Sequence, residues 1–292
     1  GFAIQARELT QLQSTLQNQI EKHGSHIFAE GAMVVPGNTV LNTVYYSLKL
    51  ASTFASETID PSQFFNSTTP VTITGETSGV TAVVVGFDIA TATDQPTLYL
   101  RYLATGTDNV TKVFVDGENI SANAGITHTT SYSSNIASAT TFTSSFSAAA
   151  GSSAANLASS TGPASRQGSS VTIQSGIYYI RGMFVTCSEE TFVLDKYDNT
   201  PSYRVGFTIS ETLVTPESDT TLLDNSTGSS NFAAKGAHRL KINLSLSKLD
   251  RGSTADNTFV QLMDVKEGII QSQVRVTEYS VLEETLARRT FD

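Results

Sequence analysis

The residues with the clearest potential for chemistry surround the lone cysteine, Cys187. Four carboxylates follow it within eleven positions, and a pair of carboxylates flanking a cleft is the arrangement that glycosidases use: Glu189, Glu190, Asp195 and Asp198. The chain contains no tryptophan that could form an aromatic platform for a sugar, and acids are common in turns between strands. We therefore interpret these carboxylates as turn residues. We expect Cys187 to be a buried, apolar thiol, the usual state of a free cysteine.

The four histidines and the single cysteine provide no recognisable catalytic or metal-binding motif. One cysteine excludes an intramolecular disulfide and a cysteine-based zinc site. His23 and His26 could approach one metal ion, but no third ligand lies within motif range, so we expect two exposed histidines near a helix end. The P-loop, G-x-G-x-x-G, G-x-S-x-G and HExxH motifs are absent from the sequence. The sequence predicts no enzymatic activity, no cofactor and no metal site.

The amino-acid composition argues against two classes of binding partner, nucleic acids and membranes. The chain of 292 residues has a net charge of −9, which argues against nucleic-acid binding because that needs clustered lysine and arginine. It has no stretch of roughly 20 apolar residues, so we expect no membrane insertion. Charged residues make up only 15% of the sequence, while serine and threonine are abundant. That balance is typical of extracellular or virion β-proteins, whose strands carry hydroxyl side chains on their wet faces.

An amphipathic helix is predicted over residues 5–23. Its apolar residues recur at spacings of three and four and form one narrow stripe: Leu9, Leu12, Leu16 and Ile20. Gly24 is placed to end the helix in a left-handed conformation. So narrow a stripe on so polar a helix needs a partner. Two alternatives stay open, a short coiled coil between copies of the chain and docking on the chain's own β-structure.

The rest of the chain is predicted to be mainly β, with small β-barrel or sandwich domains and a C-terminal helix. Alternating segments such as "VTAVVVGFDI", "TLYLRYLATG", "KVFVDGENI" and "HRLKINLSLSKL" are predicted to be strands. The predicted organisation is an N-terminal helix with a docking hairpin (1–50), a small β domain (51–125), a Ser/Thr/Ala-rich linker or extended arm (126–169) and a C-terminal β domain (170–292). The closing segment "TEYSVLEETLARRTFD" is predicted to form the C-terminal helix, with cationic residues at its end.

One loop, between Glu217 and the predicted strand at Arg239, has the composition of a structural loop. Its aspartate, asparagine and glycine residues favour tight turns with side-chain hydrogen bonds, and Phe232 is expected to pin the loop to the core. The residues concerned are Asp224, Asn225, Gly228, Asn231, Phe232, Gly236 and Arg239. Their oxygen ligands lack the spacing of a calcium loop. Contact between subunits is the alternative role.

Several stretches resemble a family of tailed-bacteriophage virion proteins, known mainly from contractile-tailed phages and cyanophages. They are "FAEGAMVVPG", "PTLYLRYLATGTDN", "FVDGENI", "GIYYIRGMFV", "FVLDKY", "SYRVGFTISETLVT", the loop above and "EYSVLEETLARRTFD". The resemblance spans most of the chain and contains no catalytic signature. It implies a structural component of the phage tail, at the baseplate or where tail fibres attach, and therefore a location in the virion.

These observations lead to one functional hypothesis and three alternatives. We expect a homo-oligomer, a trimer by analogy with phage fibres, that holds other tail proteins through buried area, paired strand edges and the Ser/Thr/Ala-rich segment. The first alternative is a receptor-binding tail protein that recognises a host glycan or surface protein. The second is a tail-associated hydrolase that uses Glu189 or Asp195. The third is a bacterial surface adhesin module, which the lack of a secretory signal disfavours.

Overall fold

Antiparallel β-structure dominates the computed structural model of the chain. The structure describes residues 6–35, 38–54, 57–123, 126–130, 138–142, 145–147, 163–228, 230–254, 257–273 and 280–291. Two helices lie at the ends of the described chain, α1 (Ala6–Ser25) and α2 (Ser280–Phe291). The predicted mainly-β fold with a helix near each end is therefore confirmed.

Most strands follow each other in the chain with short connections. The first ten are β1 (Ala32–Val35), β2 (Thr39–Lys49), β3 (Thr53–Phe54), β4 (Glu57–Thr58), β5 (Thr72–Gly75), β6 (Thr81–Asp88), β7 (Thr97–Ala104), β8 (Asn119–Ala122), β9 (Ile126–Thr130) and β10 (Ser138–Phe142). The others are β11 (Ser145–Ser147), β12 (Ser165–Ile173), β13 (Gly176–Ile180), β14 (Met183–Cys187), β15 (Glu190–Asp195), β16 (Tyr203–Val214), β17 (Arg239–Asp250), β18 (Phe259–Lys266) and β19 (Ile269–Gln273). Two short 3-10 helices cover Pro61–Phe64 and Thr220–Leu222.

The chain forms two compact units. Unit 1 consists of Gly1–Leu41, Val171–Phe192 and Thr200–Asp292, and unit 2 consists of Asn42–Ser170 and Val193–Asn199. The largest sheet has eight strands in the order β11-β8-β5-β6-β7-β2-β12-β15. A three-stranded sheet, β1-β13-β14, and a four-stranded sheet, β17-β16-β18-β19, lie in unit 1. None of the sheets formed by the described residues closes into a barrel.

The core of unit 2 forms because its strands direct apolar side chains to one side. In β7 the predicted apolar face is buried at Leu98 and Leu100, and Arg101 and Leu103 on the other face are exposed. The 3-10 helix at Pro61–Phe64 contributes the buried Phe64 to the same core. The residue before this helix caps it, because the carboxylate of Asp60 accepts a hydrogen bond from the helix backbone at 2.9 Å. The core thereby positions the end of β6 and the loop before β7, which carry charged residues described below.

Three local predictions need correction. The expected N-terminal hairpin is not formed by the described strands, because β1 pairs with β13 and β2 pairs with β7. The segment "KVFVDGENI" is a strand only from Asn119 onward, and the preceding residues form a loop that buries Phe114. Gly24 lies inside α1 and does not end it. A Cβ atom there would meet the ring of Tyr179 at 2.5 Å, so close packing explains this glycine.

The predicted linker or arm over 126–169 contains β9, β10, β11 and the start of β12. β9 pairs with β10, and β11 pairs with β8, both antiparallel. Tyr132 and Ile136, two of the apolar residues expected to anchor this segment, lie outside the described residues. Phe142 of β10 is paired with Ile126 of β9, and Phe146 of β11 with Ile120 of β8.

The four-stranded sheet of unit 1 is built around β16, whose residues Val205, Phe207 and Ile209 are buried. The Phe207 and Tyr178 rings pack in a T-shaped arrangement, with the centroids 4.8 Å apart. β16 pairs with β17 along its whole length, whereas β18 pairs with it only over residues 204–208. Beyond that point β16 and β17 continue as a two-stranded ribbon, residues 210–214 with 239–243, which we call the distal ribbon.

Candidate functional site

The predicted interface residues on α1 are all exposed. Leu9 is 58% exposed, Leu12 66% and Leu16 59%, while Ile20, nearer the end of the helix, is 41% exposed. The helix is held at its C-terminal end, where the hydroxyl of Tyr179 donates a hydrogen bond to the backbone carbonyl oxygen of residue 21 at 2.8 Å. The stripe therefore does not dock on any part of the chain that the structure describes.

The predicted structural loop is closed by backbone hydrogen bonds at its base. The amide of Gly236 donates to the carbonyl oxygen of Leu222 at 2.8 Å, and the amide of Asp224 donates to that of Ala234 at 2.9 Å. The carboxylate of Asp224 accepts a hydrogen bond from the Ser226 amide at 2.8 Å, the turn expected from the sequence. A Cβ atom on Gly236 would lie 2.5 Å from the Leu222 carbonyl oxygen, so the closure requires glycine there.

The tip of the loop differs from the prediction at Phe232. This side chain is 58% exposed and does not pin the loop to the core, because the backbone bonds at the base already hold the loop closed. Asn231 supports the tip through its carbonyl oxygen, which accepts a hydrogen bond from the Ala234 amide at 2.9 Å. The carbonyl oxygen of Asn225 accepts the amide two residues later at 2.8 Å. Gly228, which follows, adopts a left-handed φ of 84°.

An open cavity of about 510 Å³ lies between this loop and α1 in unit 1. Gln13 of α1 lines one side, and the charged or titratable groups of the lining are Asp224, Lys235, His238 and Arg239. Lys235 is paired with Glu217 at 2.5 Å, so the charges of the rim largely offset one another. A cavity with this size and lining can receive a polar side chain of a neighbouring protein, and it offers no strong preference for one sign of charge.

A second polar site, in unit 2, is a partly buried cluster of charges that we call the aspartate–lysine cluster, formed by Lys49, Asp88, Asp94, Lys196 and Tyr197. The ammonium of Lys196 lies 3.0 Å from Asp88 Oδ2 and 3.1 Å from Asp94 Oδ2. Lys49 Nζ is 3.6 Å from Asp94 Oδ1. The Tyr197 hydroxyl donates to Asp94 Oδ1 at 2.7 Å. One lysine thus bridges two carboxylates.

Strand ends bring the members of this cluster together. Lys49 ends β2, Asp88 ends β6, Asp94 lies in the loop before β7, and Lys196 with Tyr197 directly follows β15. The ammonium of Lys49 also lies 4.1 Å from the centroid of the Tyr197 ring, a cation–π contact. The cluster therefore fastens the segment that follows β15 to the rest of unit 2.

Burial and hydrogen bonding act in opposite directions on the ionisable groups of the cluster. Burial alone would raise the pKa of Asp94, but hydrogen bonds from Tyr197 and Lys196 and the two lysine charges lower its pKa below the usual value. Burial would lower the pKa of Lys196, but its bonds to Asp88 and Asp94 raise that pKa. For Lys49, burial dominates and lowers the pKa despite Asp94. Lys196 is therefore the cation that the two carboxylates hold most firmly.

The hydrogen-bond geometry of the cluster suits a structural clamp. Asp88 also accepts a hydrogen bond from the Tyr99 hydroxyl at 2.5 Å, and the hydroxyls of Tyr197 and Thr97 are hydrogen-bonded to each other at 3.0 Å. Each carboxylate therefore has at least two donors, an arrangement that holds the surrounding strand ends in place. Two members of the cluster, Lys196 and Tyr197, lie in the sequence "LDKYDN". The neighbouring residues give no indication of the distant partners of these two side chains.

We expect Asp94→Asn to flatten the acid limb of the stability–pH profile. The pKa of Asp94 is lowered in the folded protein, so its stabilising effect is present above its unfolded pKa of 3.8 and is lost as the pH falls through the folded value. The wild-type protein should lose stability below about pH 4, and the variant should lose less over that interval. Urea unfolding from pH 3 to 7 measures this, with Asp250→Asn, an exposed position at the end of β17, as the control. Equal acid slopes for wild type and Asp94→Asn would contradict the assignment.

The carboxylates near Cys187 are placed as parts of the scaffold. Glu190 accepts a hydrogen bond from the Leu246 amide at 3.1 Å, and Glu189 is exposed. Asp195 is the last residue of β15. Cys187 is buried as predicted, and burial together with the charge of Glu190 raises the pKa of its thiol, which favours the unreactive form.

The two histidines near the end of α1 are both exposed, as the sequence predicts. His26 Nδ1 lies 2.7 Å from the backbone carbonyl oxygen of Lys22, a local contact across one helical turn. Within the described residues, no three His, Cys, Asp or Glu side chains are grouped to hold a metal ion. These histidines are therefore best explained as surface residues at a helix end.

The C-terminal part of the chain resembles a known protein family. Residues 152–292 match the model of a family described as a domain of unknown function, DUF4815. The matched part contains the loop, the distal ribbon and α2. Neither the curated proteins nor the solved structures gave a match. Of the two described helices, neither has the length and apolar character that crossing a membrane would require.

Proposed function

We propose that the chain is a structural component of a bacteriophage tail, at the baseplate or the site of fibre attachment, and that it holds other copies of itself and neighbouring virion proteins through protein–protein contacts. The observation that carries this proposal is the exposed apolar stripe of α1. The low charge, the abundance of hydroxyl side chains and the sequence resemblance described above support the same role.

The helix needs a partner for physical reasons. In proteins, most helical stability comes from packing an apolar face against other elements rather than from intrinsic propensity. In α1 the packed part is the last turn, around Gly24, whereas the stripe from Leu9 to Ile20 faces solvent. Burying each leucine against other helices contributes about 1.5–3 kcal/mol. A bundle of α1 helices from three copies satisfies this requirement, and a trimer is the state we expect.

We expect the double substitution Leu12→Asp with Leu16→Asp to weaken self-association by about a hundredfold or more, because two apolar contacts per chain are replaced by charges. Size-exclusion chromatography with light scattering measures the mass against 31.1 kDa for a single chain. Gln11→Asp with Asn18→Asp is the matched control. It adds the same charge on the opposite face of the same helix and should leave the assembly intact.

Two results would each contradict one part of the proposal. The first is a folded wild-type monomer at all concentrations tested, which would remove the role of α1 in self-association. The second is the absence of the chain from purified infectious particles, tested by mass spectrometry of virions, which would remove the role in the tail. A chain found in particles but monomeric when isolated would restrict α1 to contacts with other tail proteins and would exclude the trimer.

A further inference from the structure

The outer edge of β17 is a second surface with the properties of an interface. β17 is 12 residues long and is the first strand of its sheet, so one of its sides has no neighbouring strand among the described residues. Exposed strand edges are templates for pairing with another chain, and natural proteins usually protect them. In β17 a protecting contact exists at Leu246, whose amide donates to the Glu190 carboxylate at 3.1 Å.

The same contact shows which backbone groups of β17 face outward. The Leu246 amide points away from β16, so the residues two and four positions before it, Leu244 and Ile242, also direct their amide and carbonyl groups to the outer edge. The backbone orientation of β16, the strand paired with β17, leads to the same assignment. Ile209, the partner of Leu244 in β16, directs its amide away from β17 to the Thr258 carbonyl oxygen at 2.8 Å. The even-numbered residues from 240 to 244 therefore form an edge that is free of any strand among the described residues, which we call the free edge.

The side chains of these residues continue an apolar face beyond the core. Leu246 is buried, Leu244 and Ile242 are half-buried, and Leu240 is 50% exposed. Leu213, directly opposite Leu240 in β16, is 66% exposed. The exposed part of this face lies in the distal ribbon, beyond the point where the pairing of β16 with β18 ends at residue 208. The distal ribbon thus combines a free backbone edge with an exposed apolar face.

We propose that this edge pairs with the same edge of a second copy of the chain, antiparallel, with the two-fold axis at Ile242. In that register Ile242 meets its counterpart, and Leu240 meets Leu244 of the other copy. All these residues have outward backbone groups, so each opposed pair can exchange two hydrogen bonds. The register stops before Leu246, whose amide is already engaged by Glu190. The two four-stranded sheets become one continuous sheet.

The side chains along the outer edge of β17 are complementary to themselves, which favours a second copy of the chain as the partner of this edge. The apolar residues of the two edges come to lie on the same face of the joined sheet and cover one another. On the other face, Lys241 is opposite Asn243 of the second copy and Arg239 is opposite Ser245, so no like charges are directly opposed.

The neighbouring register, with its axis at Leu244, is disfavoured. It would place Ile242 of one copy opposite Leu246 of the other, and the Leu246 amide is already bonded to Glu190. A pair in that position would lose one of its two hydrogen bonds or would have to displace the carboxylate. The axis at Ile242 avoids this conflict. This pairing does not depend on α1 or on a location in the virion.

A cysteine at the axis provides a direct test. Directly opposed residues of a hydrogen-bonded pair have Cα atoms about 5.5 Å apart, within the range that a disulfide spans. The full chain carrying Leu12→Asp and Leu16→Asp, which removes association through α1, is the background. In this background, Ile242→Cys should form a disulfide-linked dimer under mild oxidation at least about tenfold faster than the control Leu213→Cys. In the proposed dimer, residue 213 of one copy and residue 213 of the other are separated by three strand spacings, at least about 14 Å.

A second pair of variants measures the equilibrium. Ile242→Lys brings two lysine charges together at the two-fold axis and should therefore dissociate the dimer. Light scattering should then give the mass of one chain, 31.1 kDa. Leu213→Lys makes the same chemical change on the inner strand and should retain the dimer. Circular dichroism confirms that each variant is folded. Equal cross-linking rates for Ile242→Cys and Leu213→Cys, or a background protein that is monomeric throughout, would exclude the edge-to-edge dimer and leave the α1 proposal untouched.

Discussion

Replacing Glu118 by glutamine should lower the free energy of unfolding of unit 2 by about 3 kcal/mol. This glutamate is 4% exposed and lies immediately before β8. Its Oε1 accepts the Val115 amide at 2.7 Å and the Ser78 hydroxyl at 3.0 Å. Its Oε2 accepts the amides of Thr77 at 3.1 Å and Ser78 at 2.9 Å. One buried carboxylate thus joins the β5–β6 turn to the loop before β8.

Glutamine has the same shape but cannot accept all of these bonds. Its amide nitrogen must replace one of the two oxygens, and at either place it meets at least one backbone amide that is also a donor. A buried donor without an acceptor costs about 1–3 kcal/mol, and the remaining bonds lose the strengthening that a charged acceptor provides. The fold around this site leaves little room for adjustment, because a Cβ atom on Gly75 would already touch the carboxylate.

Urea denaturation followed by circular dichroism measures this change, and Glu76→Gln is the control. Glu76 lies in the same turn but is exposed, so its substitution should change the stability by about 0.5 kcal/mol or less. If Glu118→Gln and Glu76→Gln were equally stable, the carboxylate would not be the link between the two loops. A loss confined to Glu118→Gln supports the geometry.

The parts of the fold that follow from local patterns were predictable from the sequence. The alternation of apolar residues around Leu98 and Leu100 identifies β7, and the spacing of the leucines in the N-terminal segment identifies α1. Strand partners were not predictable in the same way. The Pro-Gly sequence after β1 favoured a hairpin, but Ala32 of β1 pairs with Tyr179 of β13, far along the chain. Pairing over such a distance depends on burial across the whole sheet, and no local pattern reports it.

The same limit applies to the candidate sites. The stripe on α1 and the turns of the loop were found because their residues are close in the sequence. The aspartate–lysine cluster has no local sequence signal, because Lys49, Asp88 and Lys196 belong to three separate parts of the chain, at the ends of different strands. Glu118 has no local signal either, because "VDGENI" is typical of a strand, whereas in the structure Glu118 lies buried in the loop that precedes β8. A buried charged residue of this kind can be identified only from its hydrogen-bond partners, and the fold decides which residues those partners are.

The free edge of β17 depends on a close approach of backbones elsewhere in the same sheet. Gly206 lies in β16 at an irregularity in its pairing with β18, between Val205 and Gly206. A Cβ atom at this position would lie well under 3.0 Å from the Val260 carbonyl oxygen, and close to the Gln261 Cα. These are backbone atoms in a paired strand and cannot move aside as a flexible side chain can. Only glycine allows β16 and β18 to come this close.

We therefore expect Gly206→Ala to destabilise unit 1 by about 3 kcal/mol or more, because the added methyl group forces the two strands apart. The first hydrogen bonds to weaken should be those between β16 and β18, so amide hydrogen exchange should accelerate at Val260 and Gln261 before it does in the β16–β17 ladder. Gly252→Ala is the matched control, since a Cβ atom there meets nothing within 4 Å. Its stability should stay within about 0.5 kcal/mol of wild type.

A Gly206→Ala protein as stable as Gly252→Ala would show that β18 is held less closely than the structure places it. In that event β18 could shift along β16 and extend its pairing beyond Thr208. The distal ribbon would then become part of a three-stranded sheet, in the order β17-β16-β18, and the outer edge of β17 would be carried by a broader sheet than the structure shows. The two glycine variants thus test the sheet on which the proposed dimer rests, independently of whether the dimer forms.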